Sequence, residues 1–222
     1  MIIAFSGNKF AGKDTAAEIL IKRHGFKRIG LADKLKDICS EVFEISRFAM
    51  DNPYLKETRF DTPVTISIEN IEALLKGVQK DGFEFDYGKV FGDVCKNFSG
   101  KNLTSIRDML QTVGTDILRT FVKDDIWLEY IKKQITQDSN IVVTDARFKN
   151  EREYLKNIGA VLILIKRQGY ESKSNHVSEN QLGEESDYDV VVHNETTIHA
   201  LQSSVWMWYN IKNHELILNT RK

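Results

Sequence analysis

Nine residues near the N-terminus carry the clearest chemistry in this chain. Gly7 to Thr15 read GNKFAGKDT and follow the apolar run Ile2-Ile3-Ala4-Phe5. The run reads as a buried strand, the glycines bracket a loop, and Lys13 opens a helical pattern with Ala17, Leu20, Ile21 and His24 as its stripe. A polyphosphate needs its charge neutralised away from bulk water. A helix N-terminus supplies unpaired backbone N–H groups and the positive end of a dipole. Gly7 and Gly12 permit backbone wrapping that other residues resist. Lys13 adds a point charge for the terminal phosphates.

The spacing G-x-x-x-x-G-K is that of the P-loop, with Gly7, Asn8, Lys9, Ala11, Gly12, Lys13, Asp14 and Thr15 as the expected polyphosphate cradle. One position departs from the pattern. The residue after Lys13 is ordinarily Ser or Thr, whose hydroxyl ligates Mg²⁺; here it is Asp14, with Thr15 next. Two readings stand. Asp14 binds the metal directly or through water, or Thr15 takes the hydroxyl role and Asp14 caps the helix.

A second site follows the run Ile141-Val142-Val143-Thr144, which ends in Asp145. An apolar strand ending in Asp is the pattern of a carboxylate that holds Mg²⁺ opposite a P-loop. Arg147 and Glu151 lie four residues apart and share a helix face there, either as an exposed ion pair or with Glu151 holding Arg147 to grip a phosphate. A helix is expected over Ser105–Phe121, with Ile106, Met109, Leu110, Val113 and Ile117 as its core stripe. Its other side carries Arg107, Gln111, Gly114, Thr115 and, more peripherally, Arg119. Arg107 offers a bidentate fork for phosphate and Gln111 a paired donor and acceptor for a base edge. Gly114 costs such a helix about 1 kcal/mol relative to Ala. Arg59 is the best basic candidate of the segment around it, and Trp127 either packs or flanks a base.

These sites need an alternating scaffold. Strands are expected at Ile2–Phe5, Phe26–Ile29, Asn140–Thr144, Ala160–Ile165 and Asp189–Val192. Helices are expected at Lys13–His24, Asp33–Phe43, Asp125–Gln137, Lys149–Asn157 and Thr197–Tyr209, the last with Ile198, Leu201, Val205 and Trp208 as its stripe. That alternation predicts an α/β fold with a doubly wound parallel sheet, whose ligands sit at the carboxyl ends of the strands. Residues 46–102 hold both prolines and one short helix pattern, Ile68–Lys76. They read as an insertion over a single domain spanning 1–222. Residues 167–187 are polar and read as a short lid. Lys166, Arg167, Lys173, His176 and Glu179 lie in or beside it, and His176 reads as structural.

Composition narrows the function classes. The 222 residues hold 31 Lys plus Arg against 32 Asp plus Glu, a net charge of −1, so no basic field favours nucleic acid. The two cysteines form no metal-ligand spacing and suit a reducing compartment. No apolar run reaches membrane-spanning length and no leader precedes the first strand, so a cytoplasmic protein is expected. The Asn-Lys-x-Asp and Asp-x-x-Gly elements of a G protein are missing from the sequence. A small-molecule kinase remains, with another phosphorylated metabolite as alternative acceptor and a non-catalytic nucleotide-binding module as the competing class.

Four segments in the same order, GNKFAGKDT, IRDMLQTVGTDILR, VVTDARFKNE and SNHVSE, resemble the deoxynucleoside-monophosphate kinases of tailed bacteriophages. The similarity spans most of the chain and is weakest over 46–102. GKDT is itself a habit of that family. The resemblance implies a P-loop kinase fold, transfer from ATP with Mg²⁺ to a deoxynucleoside monophosphate, and a homodimer. By motif position it implies Lys13, Asp14 and Thr15 at the donor phosphates and metal, and Arg107 and Gln111 facing the acceptor. It further places Asp145, Arg147 and Glu151 at the catalytic edge and acceptor. Arg167 is followed by Gln168 where that family typically carries Pro.

Overall fold

The computed structural model describes residues 1–135, 140–169 and 181–220, with side chains described up to residue 213. It divides into two compact units: Met1–Leu31 together with Ile131–Lys222, and Ala32–Tyr130.

The first unit is built on five parallel strands: β1 (Ile2–Ser6), β2 (Lys27–Gly30), β5 (Ile141–Thr144), β6 (Val161–Lys166) and β7 (Val190–His193), ordered β2-β5-β1-β6-β7. Around it lie α1 (Lys13–His24), α8 (Lys149–Asn157) and α9 (Ile198–Thr220). The central strand β1 pairs with β5 in the register Ile3↔Val142 and with β6 in the register Phe5↔Ile163. Phe5, Ile3, Leu20, Val142, Ile163, Leu201 and Val205 form its core. The three inner strands β1, β5 and β6 are mostly apolar without alternation because both faces are covered, whereas the edge strand β2 exposes Lys27 and Arg28. The register makes one consequence inevitable: the chain leaves β1 into the glycine loop beside the point where it leaves β5 into Asp145.

Helix limits follow local chemistry. α1 starts after Gly12 at φ +102° and ends at Gly25, whose N–H reaches Leu20 O. α8 closes with Gly159, whose N–H bonds Lys156 O. α9 runs longer than the sequence stripe predicts, and Ile198 at its start is exposed, so the buried stripe begins at Leu201.

The second unit contains α2 (Asp33–Phe43), α3 (Arg47–Asp51), β3 (Arg59–Thr65), α4 (Ile68–Lys80), α5 (Tyr87–Phe98), β4 (Asn102–Ser105) and α6 (Ile106–Gln111). β3 and β4 form an antiparallel pair. Pro63 is tolerated in β3 because this two-stranded ladder leaves one edge unpaired. A capping box at Ser67 and Asn70 starts α4. The helix expected over Ser105–Phe121 changes pitch: α6 gives way to a π-helix, Thr112–Val122. Thr112, Val113, Thr115 and Ile117 are β-branched and crowd an α turn. The wider winding presses Gly114 against Leu35 and buries Arg119, which pairs with Asp124 at 3.2 Å. Gly114 and Arg119 therefore pack and do not belong to an exposed functional face. α7 spans Ile126–Lys132, shorter than the expected Asp125–Gln137, whose end falls partly outside the described residues.

Candidate active site

In the first unit the glycine loop is a cradle shaped by close approach. Gly7 has φ +150°, and a Cβ there would lie 2.5 Å from the carbonyl oxygen of Ile165 in β6. A Cβ on Gly12 would lie 2.8 Å from Asn194 Nδ2, an amide that donates to Ala11 O at 2.9 Å. Asn194 braces the loop from the segment after β7, a role that sequence reading missed because an isolated Asn carries no signal. Ala11 is buried, Asn8 and Lys9 are half-buried, and Arg167 donates to Phe10 O at 3.3 Å.

Lys13 is only 6% exposed. Its Nζ donates to the carbonyls of Gly7 and Asn8, both at 3.0 Å, and sits 3.7 Å from Asp145 Oδ1. The two halves read separately from sequence therefore converge on one cation. The helix N-cap is Gly12, so Asp14 is not the cap; it lies exposed in the first turn, where its charge complements the dipole. Thr15 follows, half-buried.

Asp145 adopts φ +68°, uncommon for a residue with a side chain. The turn after it is tied at successive backbone groups. Ala146 N–H bonds Phe5 O at 3.1 Å, and Ser6 Oγ donates to Ala146 O. Arg147 N–H and Phe148 N–H both donate to Glu151 Oε2, at 2.9 and 3.0 Å. Glu151 is buried, so the structure gives its carboxylate a backbone-fixing task. The Arg147 guanidinium lies 3.8 Å from Asp145 Oδ1.

In the second unit, Arg59 stands opposite Ser105 in the β3–β4 ladder, and Ser105 caps α6 by accepting from Asp108 N–H at 3.1 Å. Arg107 follows. Its backbone N–H bonds Lys56 O at 3.0 Å and its Nε pairs with Glu57 Oε1 at 2.6 Å. Gln111 is one helical turn on, on the same face and half-buried. The ladder register thus brings Arg59 beside the start of the helix that carries Arg107 and Gln111. Trp127 is not: it is 5% exposed, stacks on Tyr130 at 6.0 Å and donates to Gly114 O at 3.1 Å. It packs and does not flank a base.

The sequence model of the deoxynucleotide monophosphate kinase family matches residues 64–205. That stretch covers more than half of the chain. The chain belongs to this family. It is 30% identical over 219 residues to a protein of Acanthamoeba polyphaga mimivirus provisionally named a deoxynucleotide monophosphate kinase, covering 92% of this chain and 94% of that one. It is 24% identical over 235 residues to the deoxynucleotide monophosphate kinase of Enterobacteria phage T4, covering 92% and 96%. The corresponding Escherichia phage RB69 protein is 26% identical over 240 residues, covering 92% and 97%.

Membership in this kinase family fits the residues on hand. The loop keeps this shape only while Gly7 and Gly12 lack side chains. Asp14, Thr15 and Asp145 are all oxygen donors, the set suited to Mg²⁺ shared with substrate phosphates. Among the described residues no group of three or more His, Cys, Asp or Glu forms a closed metal cage. A cavity of about 780 Å³ opens beside Asn8 at the carboxyl ends of β6 and β7, lined also by Ile165, Arg167, Leu182 and His193. Lys166 and Glu185 pair across its rim at 2.6 Å, and that hydrogen bond holds the Glu185 carboxyl below its ordinary value. Of the expected lid, residues 170–180 lie outside the described residues, with Lys173, His176 and Glu179 among them. No helix among the described residues is long and apolar enough to cross a membrane.

Proposed function

We infer that this chain transfers the γ-phosphoryl group of ATP to a deoxynucleoside monophosphate. An acceptor phosphate oxygen bonds to the γ-phosphorus as the bond to the bridging oxygen breaks, giving ADP and the deoxynucleoside diphosphate. The observation that carries this reading is the convergence of buried Lys13 and strand-end Asp145, 3.7 Å apart, at the mouth of the glycine loop.

Phosphoryl transfer asks for positioning and charge stabilisation more than covalent help. The loop from Gly7 to Thr15 holds the donor phosphates through backbone N–H groups, and Lys13 takes up charge on the transferred group. Arg147 adds a second cation. Asp14, Thr15 and Asp145 would hold Mg²⁺, which when bound neutralises phosphate charge. The cavity beside Asn8 suits the donor nucleoside in size and in its mixed polar and apolar lining. Arg59 and Arg107 bind the acceptor phosphate, and Gln111 reads its base edge.

We place the enzyme in the cytoplasm of an infected cell, supplying DNA precursors, in keeping with its phage relatives. A homodimer is proposed on the exposed Trp206, Met207 and Ile211 of α9; sedimentation at micromolar concentration distinguishes it from a monomer. The activity is tested by ADP release across a panel of deoxynucleoside and ribonucleoside monophosphates. Turnover with none of them, or only with a different phosphorylated metabolite, overturns the reading.

A further inference from the structure

α8 reads KNEREYLKN, a sequence typical of a solvated helix, yet it buries two adjacent charges, Glu151 at 3% and Arg152 at 5% exposure. Burying a charge is costly unless its hydrogen bonds are met. Both are met at one place. Glu151 accepts from the N–H of Arg147 at 2.9 Å, and Arg152 Nη1 donates to the C=O of the same residue at 2.5 Å. The neighbouring side chains grip the two polar ends of Arg147's backbone.

Arg152 is itself held from three directions. Nη1 also donates to Gln181 O at 2.6 Å, Nη2 lies 3.6 Å from Asp187 Oδ2, and the guanidinium sits over the Tyr188 ring at 5.6 Å. Tyr188 in turn donates to Leu182 O at 2.6 Å. The segment between these anchors passes close by: a Cβ on Gly183 would run into Asp187 Oδ2 and lie 2.6 Å from Arg152 Nη2. A glycine at φ +72° leaves room for that carboxylate and the guanidinium to sit together.

We propose that Arg152 is a positioning residue that fixes the Asp145–Arg147 turn from behind. Asp145 at φ +68° is a conformation that persists only where surroundings over-determine it. Ser6 and the Phe5 carbonyl tie Ala146; Glu151 and Arg152 tie Arg147. Releasing the Arg147 carbonyl lets the turn relax, and both Asp145 and the Arg147 guanidinium drift from the transferred phosphoryl group. The catalytic meaning rests on the function proposed above; the clamp itself does not.

Two variants test it, Arg152→Lys and Gly183→Ala. A lysine keeps the charge but has one nitrogen for acceptors in three directions. The Gly183 change keeps the arginine in the sequence but puts a Cβ against Asp187 Oδ2 and, at 2.6 Å, Arg152 Nη2, so it pushes the guanidinium and its carboxylate partner from their seats. Amide hydrogen exchange of the segment spanning residues 141–155 should speed up about tenfold at Ala146–Phe148 in both variants. kcat should fall about 10- to 100-fold in Arg152→Lys, and in the same direction in Gly183→Ala, because small misplacements cost that much. KM for both nucleotides and ATP affinity by calorimetry should stay within about threefold of wild type. Unchanged exchange at the turn overturns the clamp, whether or not the protein turns over any acceptor. Faster exchange with unchanged kcat per folded molecule overturns the positioning role. If Arg152→Lys does not fold, Gly183→Ala decides both points. Wild-type protein inactive on every acceptor instead sinks the proposed function, and the exchange measurement still decides the clamp.

Discussion

Replacing Gly7 by Ala separates two effects that glycine substitutions usually mix. The backbone there has φ +150°, and the new Cβ would meet Ile165 O at 2.5 Å, roughly 0.9 Å inside ordinary contact. Holding an L-residue in a sparsely populated backbone region costs about 1–3 kcal/mol. Ile165 O is backbone in a strand paired on both sides, so it yields only if β6 shifts, an overpacking cost of about 1–3 kcal/mol. The expected loss is therefore about 2–6 kcal/mol. Gly25→Ala is the control. It has φ +66° but nothing within 4 Å of a Cβ, so it carries the conformational cost alone, about 1–2 kcal/mol. Both positions lie in the same compact unit, so one unfolding transition reports on both. Urea unfolding followed by circular dichroism gives the two values, and calorimetric ATP titration gives the functional arm. ATP affinity should drop at least about tenfold in Gly7→Ala and stay unchanged in Gly25→Ala. Equal destabilisation by the two variants would refute the close approach of loop and strand.

Lys13→Ala should lower kcat by about 10²–10³ or more while leaving the circular dichroism spectrum unchanged, since it removes the charge that the proposed function assigns to the transferred group; steady-state kinetics with ADP coupling checks this. Arg107→Ala should raise KM for the acceptor about 10- to 100-fold with a small effect on KM for ATP, the worth of a charged hydrogen bond to phosphate; a KM shift confined to ATP would contradict the acceptor assignment. His24 predicts a pH effect. Burial and then the Arg23 charge hold its imidazole below the ordinary value of 6.5, and its Nε2 is buried without a hydrogen-bond partner among the described residues. The unfolded chain therefore binds the proton more readily, so stability is full above pH 6.5 and declines as the pH falls below it. Thermal melts between pH 7.5 and 5.5 should show this decline, and His24→Asn should flatten it.

Most of the first unit was legible because its signals are local. The inner strand runs are almost wholly apolar, α1 is bracketed by Gly12 and Gly25, and α8 is closed by Gly159. The second unit was legible only in part. α3, α5 and the β3–β4 pair went unread because β3 is exposed along most of its length and so lacks the alternation that marks a half-buried strand. The change to a π-helix at Thr112 was hidden because a stripe such as Val113 and Ile117 suits either winding. Trp127 could not be assigned from type alone, since an aromatic side chain has the same composition whether it packs or binds; its bond to Gly114 O decides.

Arg152 shows where sequence reading stops. In NERE it looks like one more charge on a solvated helix, and the i,i+4 rule points to Arg147 with Glu151 as an ion pair. The fold turns a Glu151 carboxylate oxygen onto backbone, which that rule does not foresee, and brings Gln181, 29 residues away, to the Arg152 guanidinium. Two buried charges on a short helix would ordinarily be a liability, and apolar replacements often stabilise such sites. Here apolar residues would leave the N–H and C=O of Arg147 without these partners, beside a residue already in an unfavourable conformation. The cost of burying the pair is offset only if the geometry of that turn matters. The buried polar end of α8 is therefore better explained by the position of Asp145 than by the stability of the helix that carries it.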